Sequence, residues 1–202
     1  MFKALQLTLI AIGIFTIASC GNSDNDLLSE ESLVLEHFTL QEAEELEKIH
    51  DFFITHVSNV KDPNSSEAID DLTHFLIDLK EAGSTGVIEI PISYEEEKNL
   101  IGELSTSLID KIWDKDTEIG YLNMHPLSDY VQFLLELGKE HPIAKDYAEK
   151  IQQAGTISST VISSLLMSPE KYDTNVNAIR LLIAIHYITI DYNNNLSADV
   201  IY

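Results

Sequence analysis

From Thr39 onward, apolar residues recur at intervals of three and four, the spacing that gathers one face of an α-helix. Thr39-Leu40-Gln41-Glu42 has the form of a capping box. The threonine oxygen takes a free backbone N–H and the glutamate reaches back to the cap. Behind it Leu46, Ile49, Phe53, Val57 and Val60 share a face, until Asp62-Pro63-Asn64 stops the helix. Asn64-Ser65-Ser66-Glu67 opens a second helix with Ile69, Leu72, Leu76 and Leu79 inward, and Gly83 stands where a left-handed residue would close it. Ser93 to Glu96 caps a third, long helix carrying Leu100, Ile101, Leu104, Leu108 and Ile112, with Trp113 near its end. His125-Pro126 and His141-Pro142 start two more, reaching Gly138 and Gly155, because proline is tolerated in a helix's first turn. Thr156 to Met167 reads as a shorter, serine-rich helix.

Three stretches leave this rhythm. Residues 86–92, Gly-Val-Ile-Glu-Ile-Pro-Ile, are β-branched and alternating, which suits a short edge strand or an extended loop; Pro91 argues against a central strand. Asp116 to Met124 reads as a connector. Residues 177–192, NAIRLLIAIHYITIDY, are apolar all round, the mark of a helix buried on every side. Arg180, His186 and the short length separate it from a membrane span. The closing NNNLSADVIY reads as a turn and a tail. The expected fold is mainly α: an irregular bundle of six or seven helices around a buried C-terminal helix at about 176–192, with one short strand pair near 87–92 as the alternative to a loop there.

The first residues follow a different logic. Lys3 is the only charge before Asp24, and Ala4 to Ala18 is almost wholly apolar, which is the pattern of a cleaved targeting segment. Ile17-Ala18-Ser19-Cys20 ends it, and Cys20 is the only cysteine. This run resembles the lipobox of bacterial lipoproteins. The resemblance implies a diacylglycerol on the Cys20 sulfur, cleavage before Cys20 and acylation of the new amino group. Anchoring by several acyl chains is stable where one is marginal. It also implies a cell-envelope location, at the outer membrane or cell surface in a Gram-negative cell. Gly21 departs from the aspartate of the inner-membrane retention signal, and Ser23-Asp24-Asn25-Asp26 is similar to an acidic surface-export tag. The expected organisation is a signal peptide at 1–19, a lipidated polar tether at 20–33 and one helical domain at 34–202. With Cys20 consumed, no thiol remains for a disulfide, so the domain depends on its core.

Charge narrows the functional classes. The whole chain carries 34 acids against 12 lysines and arginines, a net charge of −22. Such a surface disfavours nucleic acid, which needs a basic face, and favours a basic protein partner or divalent cations. The one cluster with metal-site spacing is Glu47, His50, Asp71 and His74, an acid three residues before a histidine on each of two helices. It departs from the dimetal bundle pattern, since Asp71 stands for a glutamate and His74 falls on the polar side of its helix. His186 reads as a hydrogen-bonded core histidine, and His56 as a boundary residue. Arg180, the only arginine, has two open readings: solvent-facing, or holding a carboxylate in a fork. No Gly-x-Ser-x-Gly elbow and no phosphate-binding glycine loop is present. The expectation is a non-enzymatic acidic interaction domain without a cofactor, of immunity type or an envelope-complex accessory. The alternative is a metal-binding protein or enzyme built on the acid–histidine pairs.

Overall fold

The computed structural model describes Leu28 and residues 31–83, 90–115 and 120–201. The signal segment and Cys20 lie outside these residues. Among the described residues there are nine α-helices and one antiparallel strand pair, so the expected helical class holds. The helices are α1 (Ser32–His37), α2 (Leu40–Ser58), α3 (Ser66–Gly83), α4 (Tyr94–Glu103), α5 (Thr106–Ile112), α6 (Asp129–Leu137), α7 (Pro142–Ala154), α8 (Ser159–Met167) and α9 (Asn177–Ile201). The strands are β1 (Trp113–Lys115) and β2 (Leu122–Met124), paired Trp113 to Met124 and Lys115 to Leu122.

The capping box at Thr39 forms in both directions, with Glu42 N–H on Thr39 Oγ1 at 3.3 Å and Thr39 N–H on Glu42 Oε2 at 2.8 Å. Each residue from Ala178 to Thr189 is buried, so α9 is the central element its composition predicts. It packs against α2, α4 and β2; α3 covers α2, and α6 and α7 form a hairpin. The Trp113 indole N–H donates to Thr189 Oγ1 at 2.8 Å, tying the strand pair to the same helix. No helix of the described residues is long and apolar enough to cross a membrane.

Several boundaries differ from the expectation, each for a tertiary reason. The third long helix is two. Ser105 caps α5 by accepting the Leu108 N–H, while its own N–H and hydroxyl donate to Glu45 Oε2 on α2 at 3.0 and 2.7 Å. A carboxylate from another helix thus takes the N–H that a continuous helix would use internally. Among the described residues the strand pair lies at 113–124; of the stretch 87–92, residues 90–92 are irregular and 87–89 lie outside the described residues. α6 starts after its cap Ser128 rather than at Pro126, which sits in the preceding turn.

The ends of the domain also move. α9 runs past 192 to Ile201, because the polar letters make contacts a tail would not. The Asn193 amide pairs with both the N–H and the C=O of Leu122 at 2.9 Å, serving as a third strand for β2. Ser197 meets the Tyr121 hydroxyl at 2.8 Å. At the other end, Leu28 is only 2% exposed and α1 begins at Ser32, so the packed body includes part of the stretch expected to be tether.

Candidate functional site: an acidic groove between two helices

Helix α2 has a second face beyond its apolar one. Glu44, Glu47, Lys48, Asp51 and Phe52 fall at positions i, i+3, i+4, i+7 and i+8, so they form one stripe. Leu100 and Glu103 of α4 lie opposite, and the two helices enclose a groove of about 510 Å³. Its floor is apolar, with Leu100 buried and Phe52 half-buried. Its rim carries four carboxylates, Glu44, Glu47, Asp51 and Glu103, against one lysine, Lys48.

Asp51 is fixed in this groove by a chain of groups that runs to the core. Its Oδ1 lies 2.8 Å from His50 Nδ1, and Arg180 Nε donates to His50 Nε2 at 3.0 Å. A guanidinium can only donate, so Nε2 must accept and the imidazole proton sits on Nδ1. His50 is therefore neutral: burial holds its pKa below the ordinary value, opposed by the Asp51 hydrogen bond and aided by the Arg180 charge. The remaining Arg180 donors reach the Thr174 carbonyl at 2.7 Å, Asn64 Oδ1 at 2.8 Å and Asn177 Oδ1. Burial lowers the Arg180 pKa to about 10, with Glu31 and Asp51 pulling it back through space. The arginine stays charged at neutral pH. Neither sequence reading of Arg180 describes it: it is fully buried, and its bonds among the described residues go to uncharged acceptors.

The buried acids of α2 are used for structure. Glu42 accepts from Thr39 N–H, from Ser107 Oγ at 2.6 Å and from Lys111 Nζ at 2.8 Å. Burial alone would raise its pKa; the bonds from Lys111, Ser107 and Thr39 overcome this and hold it at about 2. Glu45 is lowered in the same way: burial opposes, and Ser105 outweighs it.

The four residues of the metal alternative do not converge. Glu47 lines the groove, while His50 is buried with both ring nitrogens engaged. His74 is exposed, with Nδ1 on the Asp70 carbonyl at 2.9 Å, and Asp71 is half-buried on α3. Among the described residues, no three His, Cys, Asp or Glu side chains are grouped to hold a metal ion. His56 bonds the Phe52 carbonyl at 2.7 Å and stands 3.6 Å from Glu96 of α4, closing one end of the α2–α4 contact. His186 differs from the satisfied core histidine expected: Nδ1 meets the Tyr147 hydroxyl at 3.1 Å, but Nε2 has no partner, and burial pushes its pKa down to about 3. The α2 stripe is readable as a polar face in the sequence. The α4 half of the groove is not, because no local spacing reports which helix lies opposite.

No protein-family model, curated protein or solved structure gives a significant match to this chain.

Proposed function

We propose that this chain is a lipid-anchored protein of the outer membrane or cell surface whose helical domain captures a basic protein partner without catalysis. The observation that carries the reading is the α2–α4 groove, four carboxylates around an apolar floor. A lysine or arginine of a partner would lay its methylene stem on Phe52 and Leu100 and place its charge among Glu44, Asp51 and Glu103. The Arg180–His50–Asp51 chain holds one of those carboxylates in position before binding, which lowers the ordering cost. The overall charge of −22 would steer a basic partner toward the surface. Immunity-type neutralisation and an accessory role in an envelope complex both use such a surface.

The anchor and the capture surface are tested separately. Labelled palmitate should be incorporated into the wild-type chain and not into Cys20→Ala, which should leave the membrane fraction. For the groove, a pull-down from solubilised envelopes should retain a partner at low salt and release it at high salt, as expected for screened charges. The double variant Glu44→Lys, Glu103→Lys should lose that partner. Equal capture by the double variant, or no partner at any ionic strength, overturns the reading.

A further inference from the structure

The face of α4 turned away from the groove packs on α9 and buries an unusual carboxylate. Glu97 is 0% exposed, and neither of its oxygens has a hydrogen-bond partner. An unpaired buried polar group costs about 1–3 kcal/mol, and more when charged, so such a group in a folded protein calls for a physical explanation. Beside it lie the Asp191 carboxylate and the Asn195 amide, one turn apart on α9. Asp191 is half-buried, so its carboxylate stands nearer to solvent than that of Glu97. The Asn195 amide nitrogen donates to Asp191 Oδ2 at 3.1 Å. Half a turn of that amide presents its oxygen instead.

We propose that Glu97, Asp191 and Asn195 form a binding site for a hard divalent cation of the Ca²⁺ class. Oxygen donors select hard cations over transition metals. Neither oxygen of the Glu97 carboxylate is held by a well-formed hydrogen bond, which suits the bidentate grip that Ca²⁺ takes and that Mg²⁺, with its tight octahedral shell and retained waters, does not favour. Two carboxylates also neutralise the ion's charge, and waters on the Asp191 side complete the shell. A proton on Glu97 is the competing solution. It removes the charge but leaves both oxygens without partners, whereas a cation satisfies both and relieves the repulsion from Asp191. Burial first, then Asp191, push the Glu97 pKa up to about 8 against a smaller lowering pull from the Asn195 amide, so protons and cations compete for the site near neutral pH. Other groups at this interface include Tyr94, Tyr192 and Lys98; the Tyr94 and Tyr192 rings stand 5.5 Å apart, and Lys98 lies 5.8 Å from the Tyr94 ring. With only two carboxylates the affinity belongs with weak extracellular sites, Kd about 10⁻⁴–10⁻³ M. The inference is independent of the partner proposed for the groove.

Tyr192, next to Asp191 in the chain, is an antenna for terbium, a luminescent stand-in for Ca²⁺. The full chain in detergent is titrated with terbium and then with Ca²⁺. Tyrosine-sensitised emission should saturate, be displaced by Ca²⁺, and tighten as pH rises from 6 to 9 because fewer protons compete. Glu97→Gln and Asp191→Asn should each weaken binding by about tenfold or more. Glu95→Gln, on the solvent side of the same helix, should keep it. Ca²⁺ at about 100 times its Kd should raise the wild-type Tm by roughly 5–10 °C and leave Glu97→Gln unmoved. Emission that survives both substitutions, or a Ca²⁺ shift equal in wild type and Glu97→Gln, assigns the ion to the acidic surface at large and overturns the site. No emission together with no Ca²⁺ shift leaves Glu97 as a protonated core residue and overturns it equally.

Discussion

Glu42 and Glu97 are the same side chain, both almost wholly covered and Glu97 the more deeply, with opposite electrostatic fates. Glu42 stands at the start of α2 among Thr39, Ser107 and Lys111, and its carboxyl is held at about 2. Glu97 stands between α4 and α9 with no well-formed hydrogen bond to either oxygen, only a weak pull from the Asn195 amide, and its carboxyl is raised to about 8. Burial acts in the same direction on both. Donors and depth decide the outcome together: each hydrogen bond to the charged form offsets desolvation at Glu42, while deeper burial and one neighbouring carboxylate act unopposed by strong donors at Glu97. Arg180 is a third case, a buried cation met by uncharged acceptors and linked through neutral His50 to an acid at the surface.

The largest test of this contrast removes the cation. Arg180→Met should destabilise the domain by about 3–5 kcal/mol, since it strands His50 Nε2, Asn64, Asn177 and the Thr174 carbonyl in the core. Urea unfolding measures it, and a loss under about 1 kcal/mol would show that those acceptors readily find other partners.

Glu42→Gln should cost somewhat less, about 2 kcal/mol at pH 7, because Lys111 is a quarter exposed and keeps part of its hydration. The pH profile sharpens the point. The folded pKa of Glu42 lies below the ordinary value, so its stabilisation is present above about pH 4.5 and is lost as pH falls toward 2. The variant should therefore unfold with a flatter acid limb than wild type.

Glu97→Gln should do the reverse. Its folded pKa lies above the ordinary value, so its stabilisation is present below about pH 4.5 and is lost as pH rises through 8. In chelator, the variant should match wild type near pH 4.5 and exceed it by roughly 2–4 kcal/mol at pH 9. Parallel pH profiles for the two chains would remove the contrast with Glu42. The smallest effect belongs to the groove rim. Glu44→Lys should change stability by less than about 0.5 kcal/mol, because an exposed carboxylate does little for the fold. A large loss there would mean that the rim holds the helices together rather than waiting for a partner.

Much of this architecture is legible along the chain. The α2 capping box, the apolar face of α3, the proline start and glycine stop of α7 and the all-round apolarity of α9 are local signals, and each appears where its spacing puts it. The failures share a cause. Leu104-Ser105 breaks a helix because Glu45, 60 residues earlier, takes the Ser105 donors. The tail after Asn193 stays helical because Leu122 needs its amide, and Leu28 leaves the tether because the core accepts it. Of the acid–histidine cluster, the sequence shows spacing along each helix and nothing of the rotation of one helix against the other.

What the sequence determined by itself is therefore the class of fold, the identity of its central helix, its acidity and the lipobox-like run before Cys20, which rests on the sequence alone. Helical periodicity and capping are settled within about four residues, the reach of one turn. Tertiary structure decided which acids are held ionised, which one is left unpaired and which two helices make the groove. Those outcomes depend on partners such as His50 and Arg180, 130 positions apart, and on how much water the packing removes between them.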